Sequence, residues 1–207
     1  MARVSDSAIE DARRILAENG GILRTRDALA AGIQRRTLYA MRDRGMVERL
    51  ARGLYRLADL EQMSDPDLAI VAARIPGGVV CLISALAYHD ITTEIPHAVD
   101  IALDWQAGSR TAPTLDWPPI DVWWYSGEAY SAGIEIHNID GVDVKVYSAE
   151  KTLADCFKYR NKIGLDTAIE ALRMYRDKGR MDVPEIIRYA GICRVKNIMR
   201  PYVEALL

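Results

Sequence analysis

The chain has 207 residues, half of them hydrophobic, and a formal net charge of -2 at pH 7, so it can bury a core as one domain or two small ones. Its longest apolar runs, such as residues 79–87, are too short to cross a bilayer, and its first residues lack the apolar centre of a signal peptide. We therefore expect a cytoplasmic protein with no membrane partner. Three cysteines, far apart and odd in number, argue against a disulfide framework, and we expect Cys81, Cys156 and Cys193 to be buried, reduced thiols.

The charge is distributed unevenly along the chain. Residues 1–60 contain 12 arginines, no lysine and 8 acidic residues, whereas residues 61–207 contain 15 basic and 21 acidic residues. The segment 34–57 alone has seven arginines against two acidic residues. Such asymmetry is typical of a surface that binds a polyanion, with nucleic acid as the leading partner. The charge distribution alone is also compatible with a simple solvated helix face in an arginine-rich protein.

The first 44 residues have the pattern of three helices. Ser7 opens a predicted capping box and a first helix that stops at residues 19–21, Asn-Gly-Gly. Thr25 is the predicted N-cap of a short second helix, which Gly32 closes. The third helix begins near Gln34, after a short turn.

The third predicted helix has one apolar and one basic side. Ile33, Leu38 and Met41 share the apolar side. The opposite stripe has the spacing i, i+1, i+4 and i+7 and consists of Arg35, Arg36, Tyr39 and Arg42. A basic stripe with one aromatic residue is typical of a helix that reads DNA.

A predicted two-stranded hairpin follows Gly45, with its turn at residues 51–53. Three helices and a hairpin form a winged helix-turn-helix, whose third helix enters the major groove while the wing reaches the flanking backbone. Arginine suits both tasks because its planar fork binds guanine or phosphate at two points. The alternative is a helix-turn-helix used only for protein contacts. The predicted DNA-binding residues are Arg35, Arg36, Tyr39, Arg42, Arg44, Arg49 and Arg52.

Residues 61–207 are predicted to form a second, mixed domain after a DNA-binding domain at residues 1–60. A helix follows Asp65-Pro66, a small sheet is expected within residues 79–147, and helices are expected over residues 148–207. Asp140-Gly141 is a strong signal for a two-residue hairpin turn. The predicted fold class is α+β.

The order of three segments resembles a known family. RGLYRL, PGGVVCLISALAYHDIT and VKVYSAEKTLADCFKYRNKIGLDTAIEALRMY occur in this order over nearly the full chain, as in the AbiEi-type antitoxins of abortive-infection, type IV toxin-antitoxin systems. The resemblance implies an N-terminal domain that represses its own operon by binding double-stranded promoter DNA, with inverted repeats expected there. It implies a C-terminal domain that counters a nucleotidyltransferase-like toxin. Gln34 departs from the Ser or Thr expected as the cap of the recognition helix. The alternative is a solitary transcriptional regulator that senses a small ligand.

Enzymatic chemistry has only a weak signal. Asp100 together with Asp143 and Lys145 could form the residue set of a metal-dependent nuclease, which we keep as a remote alternative. The three histidines, at positions 89, 97 and 137, have no metal-ligand spacing. We therefore predict a protein that is not an enzyme and has no metal site and no cofactor.

Two segments of the second domain admit two interpretations each. Most of the four tryptophans within residues 105–124 are expected in the core, with an exposed member serving a partner as the alternative. Residues 148–162 are expected to form an amphipathic core helix, with an exposed basic side as a candidate for toxin or DNA contact. The basic residues of that segment are Lys151, Lys158, Arg160 and Lys162.

Overall fold

The computed structural model describes residues 4–60, 63–108, 111–179 and 181–206. The chain divides into two compact units, which are described separately. Unit 1 comprises Met1–Pro76 and His137–Val144, and unit 2 comprises Gly77–Ile136 and Lys145–Leu207. The fold mixes helices with antiparallel and parallel strands, so the predicted α+β class is confirmed.

Unit 1 contains the predicted three helices and wing, in the order helix, strand, helix, helix, strand, strand. Its small sheet has the strand order β1-β3-β2, with antiparallel pairing. A fourth helix follows the wing. The elements are α1 Asp6–Glu18, β1 Ile22–Arg24, α2 Thr25–Ala30, α3 Arg35–Asp43, β2 Val47–Ala51, β3 Leu54–Leu57 and α4 Pro66–Arg74.

Both predicted helix caps near the N-terminus are wrong by one or two residues. The N-cap of α1 is Ser5, whose side chain accepts a hydrogen bond from the Ala8 amide at 3.3 Å, so Ser7 lies inside the first turn. Thr25 is the first residue of α2 and does not cap it. Its hydroxyl instead donates to the Gly53 carbonyl at 3.3 Å, because the unpredicted strand β1 brings Thr25 beside the wing turn.

The three-stranded sheet is covered on both faces. On one face, Tyr55 and Leu57 pack with the apolar sides of α1, α2 and α3. On the other face, Ile22 and Leu54 pack with residues of α4. This double cover explains why all four residues of β3 are buried, including Arg56, whereas a half-exposed strand would alternate.

Unit 2 is built on a five-stranded mixed sheet with the order β6-β5-β4-β8-β7. Strands β7 and β8 are joined by Asp140-Gly141, both with positive φ, as the sequence predicted. The turn and the adjoining residues 137–144 belong to unit 1. The remaining elements are β4 Val79–Val80, α5 Leu82–Tyr88, β5 Val99–Asp104, β6 Ile120–Tyr125, α6 Glu128–Ser131, β7 Ile134–Ile139, β8 Val142–Tyr147, α7 Ala149–Lys158, α8 Arg160–Ile163, α9 Leu165–Asp177, α10 Val183–Ile192 and α11 Lys196–Glu204.

Helix α7 lies at the centre of unit 2, and one of its lysines is not where the sequence predicted. Lys151 is completely buried instead of lying on an exposed basic side. Its ammonium group pairs with Asp155 at 2.6 Å, one helical turn later, and lies 4.0 Å from the centroid of the Tyr147 ring. Asp155 also accepts a hydrogen bond from the Cys193 thiol at 3.1 Å. Partners on both sides allow the charged pair to be buried.

The tryptophans are less buried than predicted. Trp105 is 45% exposed and Trp117 is 63% exposed. Trp123 is half-buried against the core of unit 2, and its ring nitrogen donates to Asp100 at 2.8 Å. Trp124 is also half-buried and meets Trp105 edge to face. The expectation that most of them fill the core is therefore wrong, because Trp105 and Trp117 lie outside strands β5 and β6, and the successive residues Trp123 and Trp124 of β6 point to opposite faces of the sheet.

The three cysteines are buried and free, as the sequence predicted. Burial raises the pKa of all three thiols, because the thiolate loses its hydration inside the protein. Among the described residues, none of the helices has the length and apolarity needed to span a membrane.

Candidate nucleic-acid interface

Helix α3 is fixed in unit 1 by its apolar side. Leu38 and Met41 are buried within the cluster that also holds Ile33. The N-cap residue of α3 is Gln34, where the family resemblance led us to expect Ser or Thr. Its side chain makes no capping hydrogen bond to the helix. The first turn of α3 contains no acidic residue. The helix start therefore combines the positive end of the helix dipole with two arginines.

The opposite side of α3 is exposed to solvent, as predicted for a reading face. Arg35, Arg36, Tyr39 and Arg42 are all exposed. The guanidinium group of Arg42 lies 5.2 Å from the centroid of the Tyr39 ring and pairs with Asp43 at 2.6 Å. The hydrogen bond to Asp43 raises the pKa of Arg42 above its ordinary value.

Ion pairing divides the arginines of residues 4–60 into two groups. Every acidic residue in that range lies within salt-bridge distance of an arginine. The pairs are Arg13 with Glu10 and Asp59, Arg14 with Asp11 and Glu18, Arg24 and Arg26 with Asp27, Arg42 with Asp43, Arg44 with Asp6, and Arg56 with Glu48.

Arg35, Arg36, Arg49 and Arg52 belong to the second group, which we call the uncompensated arginines. Over the described parts of the chain, these four exposed residues form no ion pair with an acidic side chain. Two lie at the start of α3 and two on the wing. The net positive charge of residues 34–57 is thus concentrated on α3 and the wing, an arrangement that favours contact with a polyanion.

The wing turn is anchored by hydrogen bonds from two other elements. The Gly53 carbonyl accepts from the Thr25 amide at 2.8 Å, and the Arg52 carbonyl accepts from the Arg74 guanidinium. The Arg49 side chain donates to the Ala51 carbonyl at 3.3 Å. Arg74 therefore adds a positive charge beside the wing. Sequence reasoning missed it, since it lies on α4 and has no basic neighbour in the sequence to signal it.

Two further arginines of the segment differ from the uncompensated group. Arg44, one of the predicted DNA-binding residues, is exposed but lies 2.9 Å from Asp6 of α1, which partly compensates its charge. Arg56 is buried and lies 3.8 Å from Glu48. Arg56 was not among the predicted site residues, and its side chain is buried within strand β3, away from solvent.

The residues of the nuclease hypothesis are engaged in other contacts. Asp100 is buried in unit 2 and accepts hydrogen bonds from Trp123 at 2.8 Å and from the Ser84 amide at 3.3 Å. Asp143 lies in unit 1 and accepts from Asn138 at 3.0 Å. Within the described ranges, no group of three or more His, Cys, Asp or Glu side chains is arranged to hold a metal ion.

Comparison with protein families supports the resemblance drawn from the sequence motifs. Residues 10–58 match the family model described as "Transcriptional regulator, AbiEi antitoxin". These residues include α2, α3 and the wing. None of the curated proteins compared with the chain matches it. The predicted similarity to AbiEi antitoxins is thus confirmed over the segment that carries the uncompensated arginines.

Proposed function

We propose, starting from the similarity of residues 10–58 to AbiEi antitoxins, that the chain is a DNA-binding antitoxin that represses its own operon. The N-terminal residues bind duplex promoter DNA, and residues 61–207 counter a nucleotidyltransferase-like toxin. The predicted boundary at residue 60 is part of this proposal. We assign the chain no catalytic role and no cofactor.

One observation carries the DNA-binding part of the proposal. The uncompensated arginines occupy the first turn of α3 and the wing, which are the two elements that a winged helix-turn-helix applies to DNA. Arg35 and Arg36 are positioned to contact base edges, since the N-terminal residues of a recognition helix enter the major groove. Arg52 on the wing turn is positioned for a phosphate.

A gel shift with the full chain and a duplex from its own promoter tests this assignment. The double variant Arg35→Ala/Arg36→Ala should lose specific binding. The matched control, Arg14→Ala/Arg26→Ala, removes the same charge from two exposed arginines that already have acidic partners, and it should bind nearly as well as wild type. Equal losses in the two variants would show that only net charge matters. Failure of wild type to bind at low salt would overturn the proposal.

The antitoxin part rests on the family resemblance, and its cheapest test is genomic. A nucleotidyltransferase-like reading frame beside this one supports a toxin-antitoxin pair. Its absence would favour the alternative of a solitary regulator that senses a small ligand.

A further inference from the structure

The turn of the β7–β8 hairpin is bonded to the connector that follows the wing. The Asp140 carboxylate accepts hydrogen bonds from the Ser64 amide at 2.9 Å, from the Ser64 hydroxyl at 3.1 Å and from the Asp65 amide at 3.4 Å. Ser64 and Asp140 are 76 residues apart in the chain, yet both belong to unit 1. One side chain of the hairpin thus fixes the start of α4, whose N-cap is Asp65.

The same turn meets the loop between α1 and β1 backbone to backbone. A Cβ atom added to Gly141 would lie 2.4 Å from the Gly20 carbonyl oxygen, and one added to Gly20 would lie 2.8 Å from the Gly141 oxygen. Both residues have positive φ, at 83° and 76°. Only glycine on both sides allows this approach, because a side chain on either would collide with main-chain atoms that cannot move aside.

The hairpin also contributes to the second apolar face of the wing sheet. Val142 packs against the cluster formed by Ile22 of β1, Leu54 of β3, and Ile70 and Ala73 of α4. Leu54 directly follows the wing turn, and Ile22 begins the strand that leads into α2. The face of the sheet turned away from α3 is therefore closed by α4 and by a segment that lies far along the chain.

We propose that residues 137–144 act as a clasp that holds the wing sheet in its DNA-binding position, with Asp140 as a positioning residue. The inference rests on the proposed DNA-binding function. Two sets of contacts connect the clasp to the wing. The clasp contacts α4, whose Arg74 donates a hydrogen bond to the Arg52 carbonyl. It also packs against β1, which is followed by Thr25 and its hydrogen bonds to Gly53. A segment outside the first 60 residues then holds the wing of the DNA-binding domain in place.

The clasp is tested in the full chain with Asp140→Gly, which removes the carboxylate but tolerates the positive φ of 52°. The matched control is Asp121→Ala, which removes one negative charge from an exposed position of unit 2, outside the clasp. Binding of promoter duplex is measured over a series of salt concentrations. We expect Asp140→Gly to bind about tenfold more weakly, about 1.4 kcal/mol, with a shallower salt slope because the wing phosphate contact is lost. Asp121→Ala should keep the wild-type slope.

Hydrogen exchange of the free protein separates the clasp from the proposed function. Amides of residues 47–57 should exchange faster in Asp140→Gly than in Asp121→Ala, and this comparison does not require that the protein binds DNA. Asp140→Asn keeps an acceptor oxygen and should restore both readouts, and Ser64→Ala should shift them in the same direction as Asp140→Gly but less. If the wild-type protein failed to bind DNA, the proposed function would be contradicted. The exchange data would still show whether residues 137–144 hold the wing sheet. Equal exchange and equal salt slopes for Asp140→Gly and Asp121→Ala would overturn the clasp.

Discussion

The Arg74 guanidinium donates a hydrogen bond to the Arg52 carbonyl, which joins helix α4 to the tip of the wing. The contact gives Arg74 two roles, because it braces the turn and brings a further positive charge beside the wing turn. Arg74→Ala should therefore weaken binding to all DNA sequences alike and reduce the magnitude of the salt slope by about one unit or more. Salt titrations with promoter duplex and scrambled duplex would measure this. A loss confined to the promoter duplex would contradict a backbone role.

The recognition helix and the wing should respond differently to single substitutions. Arg35→Ala or Arg36→Ala should cost about 1–3 kcal/mol of binding free energy and relax base preference, if either makes a two-point base contact. Arg52→Ala should lower affinity for every sequence without changing preference. Binding to a library of single-base operator variants provides the measurement. If Arg52→Ala altered preference while Arg36→Ala did not, the assignment of helix and wing would be reversed.

Removing one partner of the buried Lys151–Asp155 ion pair should strongly reduce the stability of the protein. Lys151→Met leaves the Asp155 carboxylate buried without its ammonium partner, so we expect a loss of about 3–5 kcal/mol in the free energy of unfolding. Urea unfolding measures it, with Lys196→Met at an exposed position as a control expected to stay within about 0.5 kcal/mol of wild type.

The double variant Lys151→Met/Asp155→Leu should recover much of that loss, because an apolar pair leaves no unpaired charge in the core. If the single variant Lys151→Met were as stable as wild type, the buried Asp155 carboxylate would not need the Lys151 ammonium group as its partner.

Gly141 should be less replaceable than a glycine of similar conformation in open space. Gly141 and Gly179 both have positive φ, at 83° and 69°, but a Cβ at Gly179 meets nothing within 4 Å. Gly179→Ala should therefore cost only the conformational strain, about 1–2 kcal/mol. Gly141→Ala adds a collision with the Gly20 carbonyl and should cost clearly more. Thermal or urea unfolding of both variants would decide, and equal losses would argue against the close approach.

Local patterns predicted much of this fold, and contacts between distant segments account for what was missed. The two sides of α3 follow from helical periodicity, and the hairpin at Asp140-Gly141 follows from turn chemistry, because both are properties of neighbouring residues. Strand β1 was missed because it is only three residues long and is defined by its pairing with β3. Arg74 has no local signal for its contact with the wing.

The burial of Lys151 was also missed, although a partial signal exists. Asp155 follows at i+4, the spacing of a helical ion pair. Most such pairs lie on the surface, so the spacing alone does not distinguish a buried pair from an exposed one. What buries this pair is the tertiary position of the Tyr147 ring and the Cys193 thiol.

We propose that one chain combines DNA-binding repression with toxin neutralisation, and the variant Arg35→Ala/Arg36→Ala/Arg42→Ala tests this combination. These substitutions leave the buried residues Leu38 and Met41 untouched, so the fold should survive, as circular dichroism can confirm. With the neighbouring toxin and the variant under independent inducible promoters, repression of a promoter reporter and growth are measured together. We expect repression to be lost while growth is still rescued. A folded variant that fails to protect the cells would contradict the division of the two functions between the N-terminal and C-terminal parts of the chain.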